Sequence, residues 1–164
     1  MKKIFSSLLL SLSLLMLASC DMSRPVEQSE YQKENEAYIA EIAKNSSYTS
    51  IYFLNEDQPI YYKVIQSAPA SDNPEYPFQN STVEMTLSGR LISGQIFQKE
   101  ETMELAVSDL VKGMQIALQK MNVGDSWEVV LPWQYGYGRY SYRGLIPGFS
   151  TLIFDVKLER VVEK

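Results

Sequence analysis

The sequence predicts an α+β fold: a curved antiparallel sheet wrapped around one central helix, with a short helix ahead of it. Three observations carry this. Val83, Met85, Leu87, Gly89 and Leu91 alternate with Glu84, Thr86, Ser88 and Arg90, the period of two that a strand with one buried face requires. The alternation returns at Trp127, Val129 and Leu131, and again at Leu152, Phe154, Val156 and Leu158. Between these strands, Leu110, Val111, Met114, Ala117, Leu118 and Met121 fall on one helical stripe, the face a sheet would cover. No internal repeat is visible.

Taken in order, Ser29-Glu30-Tyr31-Gln32 fits a capping box in which Ser29 accepts from the Gln32 amide, and predicts a helix over 30–44. Its apolar face is partial. Tyr38, Ile39, Ile42 and Ala43 cluster, but Asn35 interrupts the stripe, so the helix is expected to dock by its C-terminal half. Asn45-Ser46-Ser47 ends it. Ser50 to Leu54 reads as a short strand and Ile60 to Ile65 as a better one, with a loop rich in Pro, Ser, Asp and Asn from Ser67 to Asn80. Gly94 suits a tight turn after the long alternating strand. Gln95 to Gln98 then returns as the next strand, and Met103 to Val107 forms another short one. Ser108 is the expected N-cap of the central helix, with Asp109 in the first turn where negative charge suits the helix dipole.

The N-terminus carries an address. Lys2 and Lys3 precede Ile4 to Ala18, an apolar and serine-rich run too short for a comfortable membrane span. It closes on Leu17-Ala18-Ser19-Cys20, which resembles the lipobox of bacterial lipoproteins and implies cleavage before Cys20 and acylation of that residue. An ordinary signal peptide followed by an incidental free cysteine is the alternative. Residues 1–19 are therefore read as a lipoprotein signal peptide and 20–29, polar and with Pro25, as a lipidated tether. Residues 30–59 hold the first helix and short strand, and 60–164 the sheet with its helix. The expectation is a monomer in the cell envelope, lipid-anchored to a membrane outside the cytoplasm.

Composition bounds the chemistry. The 164 residues make about one domain, and 45% hydrophobic with 12% aromatic content suffices for a packed core. Fifteen basic against 20 acidic residues, a net charge of −5 with no basic cluster, argue against nucleic acid as a partner. A single cysteine forbids an intrachain disulfide, so the core alone supplies stability. With no histidine there is no Ser-His-Asp or Cys-His arrangement and no usual zinc site, and neither metal nor cofactor is expected. Gly136-Tyr137-Gly138 lacks the lysine and the strand-to-helix context of a phosphate loop. Glu100-Glu101 sits in a polar run and reads as a solvated face rather than a glycosidase pair. What remains is a reaction that needs no acid, base or nucleophile.

A helix ending at Val123-Gly124-Asp125, a strand from Trp127, the tyrosine-rich loop Trp133-Gln-Tyr-Gly-Tyr-Gly138, the turn Leu145-Ile-Pro-Gly148 and the closing strand Thr151 to Leu158 follow one another. That order and spacing resemble the FKBP-type peptidyl-prolyl cis-trans isomerases over about Ile60 to Val162. The resemblance implies the FKBP-like fold for 60–164 and proline-containing polypeptides as substrates. Such isomerisation rotates an amide against a barrier of about 18–20 kcal/mol. A twisted amide is less polar than a planar one, so a dry apolar pocket favours it over the ground state without proton transfer. Carried over, the resemblance places Phe97, Val111, Ile146 and Phe154 as pocket walls and Leu105 where an aromatic wall is usual. It makes Tyr137 the donor of a hydroxyl to a substrate carbonyl and the Val111 amide a second donor, and it puts Tyr142 on the covering flap. This chain departs from the family at three positions. Met114 stands in place of a floor tryptophan, Leu87 in place of a tyrosine, and Gln98 in place of an aspartate to which that tyrosine donates. The loss of both partners is consistent, because a buried carboxylate without its donor is costly. Two further readings follow: a catalytically weak FKBP-like binding module or chaperone, and a structural lipoprotein subunit that uses the fold for docking.

Overall fold

The computed structural model describes residues 29–53, 56–70 and 74–163. The expected signal peptide, Cys20 and the tether up to Gln28 lie outside the described residues, as does Leu54. Helix α1 (Glu30–Ile42) leads into strands β1 (Thr49–Ile51), β2 (Ile60–Gln66), β3 (Thr82–Leu91) and β4 (Ile96–Ala106). Helix α2 (Lys112–Leu118), β5 (Ser126–Leu131) and β6 (Leu152–Glu163) complete the chain. The strands form one six-stranded antiparallel sheet of order β1-β2-β5-β6-β3-β4.

The inner face of this sheet is made by the alternating residues. Val83, Met85 and Leu87 of β3, Trp127, Val129 and Leu131 of β5, and Leu152, Phe154, Val156 and Leu158 of β6 are buried in one cluster with Met114, Ala117, Leu118 and Met121. Helix α2 lies close on β5. A Cβ at Gly113 would fall 2.4 Å from Leu131 Cδ2, so a larger residue there would require Leu131 or the helix to shift. The turn into β5 is held by Asp125, whose carboxylate accepts from the Asn122 amide at 2.8 Å and the Ala68 amide at 2.7 Å.

Three expectations need correction. Ser108 does not cap the central helix. Val107–Asp109 forms a separate 3-10 turn, Leu110 and Val111 are extended, and α2 begins at Lys112 with Val111 as its N-cap. Gln115 enforces the break, since its side-chain amide donates to the carbonyls of Leu110 (2.7 Å) and Ser108 (3.1 Å), supplying partners that a continuous helix would supply from its own backbone. The two short strands expected over 95–98 and 103–107 are one strand, β4. It lies at the sheet edge, so the polar residues between Lys99 and Thr102 face solvent while their backbone still pairs with β3.

The third concerns α1, which ends at Ile42 rather than residue 44. Its cap is as expected, with the Gln32 amide donating to Ser29 Oγ at 3.1 Å. Asn35, expected to interrupt the buried face, is instead fully buried and central to it. Its Oδ1 accepts from the Thr151 amide at 2.7 Å, and its side-chain amide donates to the Tyr31 carbonyl at 2.8 Å. Tyr31 and Ser150 share a hydroxyl–hydroxyl hydrogen bond of 2.7 Å. The helix therefore docks along its whole length on the outer face of the sheet. Ile39 and Ile42 pack there on Tyr61, Val130 and Ile153, a second core that a period-two reading of one face did not reveal. Full burial of such side chains contributes roughly 1.5–3 kcal/mol each.

Candidate active site

The concave face of the sheet, the start of α2 and the loop between β5 and β6 enclose a cavity of about 280 Å³. Every pocket residue singled out from the sequence lines it: Leu87, Phe97, Gln98 and Leu105 from the β3–β4 hairpin, Val111 and Met114 at the head of α2, Tyr137, Tyr142 and Ile146 from the loop, and Phe154 from β6. Met103, Asp109, Leu110, Arg143 and Leu145 also line it and were not singled out. Leu110 and Leu145 stood within patterns already read as apolar, whereas the places of Asp109 and Arg143 depend on how the 3-10 turn and the loop fold.

Phe97 and Gln98 are adjacent in sequence yet both reach the cavity. The pairing register explains this. Gln98 faces Gly89, but Ile96 faces Arg90 and Glu101 faces Leu87, so β4 carries an extra residue on each side of Gln98. Such bulges break the alternation and re-aim side chains. Gly89 completes the device. A Cβ there would lie 2.5 Å from Phe97 Cε2 and Cζ and 3.0 Å from Phe154 Cε1. Its absence lets the two rings meet edge to face over β3, with centroids 5.4 Å apart at 85°. Gln98 turns its side-chain amide to the Lys99 carbonyl at 3.0 Å. Met114 is fully buried at the base of the cavity, and Leu87 is buried on β3.

The loop closes the other side. The amide of Tyr142 donates to the Ile146 carbonyl at 2.8 Å, and the Ile146 amide returns a bond of 3.1 Å to the Tyr142 carbonyl. Phe149 donates from its amide to the Gly138 carbonyl at 2.9 Å, which closes the loop base. Ile146 is thereby buried, while the Tyr137 and Tyr142 rings stack with centroids 4.0 Å apart at 10°. Burial raises the Tyr137 phenol above its ordinary value, the neighbouring Tyr142 adds to this and Arg143 opposes it. The hydroxyl therefore keeps its proton at neutral pH, and it has no hydrogen-bond partner among the described residues. The Val111 amide likewise donates to no acceptor among the described residues, because the first turn of α2 does not use it.

Tyr137 and Val111, whose donors find no acceptor among the described residues, both line a mostly apolar chamber walled by two crossed phenylalanines. Among the described residues there is no group of carboxylates or other ligands that could hold a metal ion, and no helix there is long and apolar enough to cross a membrane.

Residues 73–159 match the family model described as FKBP-type peptidyl-prolyl cis-trans isomerase. The chain belongs to this family. Among curated relatives, the FKBP-type 22 kDa peptidyl-prolyl cis-trans isomerase of Escherichia coli is 29% identical over 133 residues, covering 79% of this chain and 60% of that one. The outer membrane protein MIP of Legionella longbeachae is 31% identical over 140 residues, covering 82% of this chain and 58% of that one. The chain thus spans about 60% of the length of these bacterial relatives. Among solved structures, the peptidyl-prolyl cis-trans isomerase of Pseudomonas syringae superposes with a TM-score of 0.71 at 24% identity, over 82% of this chain and 94% of that one. The α+β architecture of a curved antiparallel sheet on a central helix is accordingly the FKBP fold.

Proposed function

We propose that this FKBP-family protein is a peptidyl-prolyl cis-trans isomerase that assists the folding of exported polypeptides. The cavity carries this reading: a mostly apolar chamber of about 280 Å³ lined by Tyr137, whose hydroxyl is protonated and has no partner among the described residues. A proline ring enters between Phe97, Phe154 and Ile146 over Met114. The Tyr137 hydroxyl and the Val111 amide each hold a substrate carbonyl, and Tyr142 covers the rim. Removal of water from the X-Pro amide disfavours the planar, more polar ground state relative to the twisted one. Each donor contributes roughly 0.5–1.5 kcal/mol net. A protease-coupled proline-peptide assay on the purified protein tests this, with acceleration above the uncatalysed rate expected.

Gln98 favours a second reading, because its amide is engaged by the Lys99 carbonyl rather than by a partner across the pocket. With Leu87 lining the same cavity and bringing no hydroxyl, the pocket is suited to gripping segments with little turnover. Peptide binding without rate acceleration would select this binding-module reading.

We also infer a lipid anchor. Leu17-Ala18-Ser19-Cys20 supports it, as does the family's inclusion of a protein named as an outer membrane protein. Residues 1–19 would be removed and Cys20 acylated, leaving the isomerase domain tethered in the envelope on residues 20–29. Cys20→Ala is expected to abolish fatty-acid labelling in cells, and label persisting in that variant overturns the anchor.

A further inference from the structure

The cavity mouth carries two opposite charges that catalysis of amide rotation does not require. Asp109 ends the 3-10 turn on one side, and Arg143 projects from the loop on the other; both line the cavity and both are exposed. Neither has an ion-pair partner among the described residues, although seven other ion-pair contacts are formed there. They are not paired with each other, so the mouth keeps a separated acid and base.

Two features mark Arg143. Its guanidinium lies over the Tyr142 ring, 5.1 Å from the centroid, and Tyr142 in turn stacks on Tyr137. Its backbone is left-handed, with φ of 49°, immediately before Gly144 at φ of 67°. A glycine would occupy position 143 without strain, whereas arginine there is strained. Backbone strain of this kind points from the outlier to a functional role for the side chain.

We infer that Asp109 and Arg143 read the charge order of the residues flanking the proline. This inference rests on the isomerase reading of the cavity. A chain lying across the mouth with an acidic side chain at Arg143 and a basic one at Asp109 is held by two attractions, whereas the reverse order meets two repulsions. The substrate class is therefore a proline flanked by residues of opposite charge in one fixed order. Overall attraction of basic peptides to an acidic protein cannot produce such a preference, because both orders carry the same net charge.

The test uses two peptides of identical composition, Ala-Glu-Pro-Lys-Phe and Ala-Lys-Pro-Glu-Phe, with turnover and affinity measured separately. Isomerisation is followed by line-shape exchange in NMR and binding by titration. One order is expected to exceed the other in kcat/KM by about three- to tenfold at low ionic strength, shrinking towards unity in about 1 M salt. The ratio should fall in Arg143→Gln and invert in the exchanged variant Asp109→Arg with Arg143→Asp. Equal rates and affinities for the two orders would overturn the inference, and so would an unchanged ratio in both variants. If the order matters for affinity while neither peptide is isomerised, the charge reading stands and the isomerase reading falls.

Discussion

Gly89→Ala tests the link between strand geometry and site most directly. The added methyl would lie 2.5 Å from Phe97 Cε2 and Cζ, whereas carbon atoms rest about 3.5–4.0 Å apart. Phe97 must therefore retreat by about 1 Å or more, and it has somewhere to go, since the clash is with the far end of a side chain rather than with backbone. It swings into the cavity. Its edge-to-face contact with Phe154, of a kind contributing about 0.5–1.5 kcal/mol, is lost. Overpacking costs about 1–3 kcal/mol, partly offset by about 0.4–1 kcal/mol because alanine restricts the unfolded chain more than glycine does. The net loss is roughly 0.5–4 kcal/mol, a fall of several degrees in Tm. Activity should suffer more, by tenfold or greater in kcat/KM, because the displaced ring fills the space a proline would take. Thermal denaturation beside the coupled assay checks this. A second variant, Gly89→Ala with Phe97→Leu, is expected to recover stability without recovering activity. Full activity in Gly89→Ala would refute the reasoning, showing that Phe97 is not the wall this geometry makes it.

The remaining predictions are these. Asn35→Ala leaves the buried Thr151 amide without its acceptor and is expected to destabilise by about 1–3 kcal/mol in urea unfolding; a change below about 0.5 kcal/mol would show that α1 is not anchored through this bond. Tyr137→Phe should slow isomerisation by about tenfold at most while barely changing stability, and an unaltered rate removes Tyr137 from the site. With no histidine in the chain, kcat/KM should be flat between about pH 6 and 9. The raised phenols of Tyr137, Tyr61 and Tyr135 mean that the unfolded chain ionises first, so their contribution to stability is intact below pH 10.0 and lost as pH rises through the folded values. On the alkaline side the expected profile is a drop in unfolding free energy that begins near pH 10.0. Leu87→Tyr with Gln98→Asp should raise activity together, with a coupling of about 0.5–3 kcal/mol; strictly additive effects would mean that the two side chains do not meet.

Much of this was legible along the chain because the physics behind it is local. Alternation at 83–91 and 152–158 follows from a pleated strand with one wet and one dry face, and it recovers β3 almost residue for residue and the first part of β6, which continues to Glu163. The cap at Ser29 and the turn at Gly94 are likewise short-range chemistry, the latter confirmed by a φ of 84°. The pocket residues came from the resemblance to the FKBP family, carried by the motifs around Tyr137 and Leu145-Ile146-Pro147, since a shared pattern transmits a shared three-dimensional arrangement.

What only the tertiary structure decided depends on partners distant in sequence. Asn35 looks polar and out of place until the Thr151 amide stands opposite it, 116 residues away, and one buried hydrogen bond outweighs the break in the apolar stripe. The central helix starts late because Gln115 serves the carbonyls of Leu110 and Ser108, a competition that an unbroken stripe cannot reveal. The polar run at 99–102 is a strand because it is an edge, and edge position is set by strand order rather than by residues. Gly89, an unremarked member of an alternating series, is the space that two aromatic rings occupy, and this is fixed only when β4 folds back with its bulges. Sequence determined which residues prefer the inside and which local turns can form; the folded sheet determined what each of them meets there.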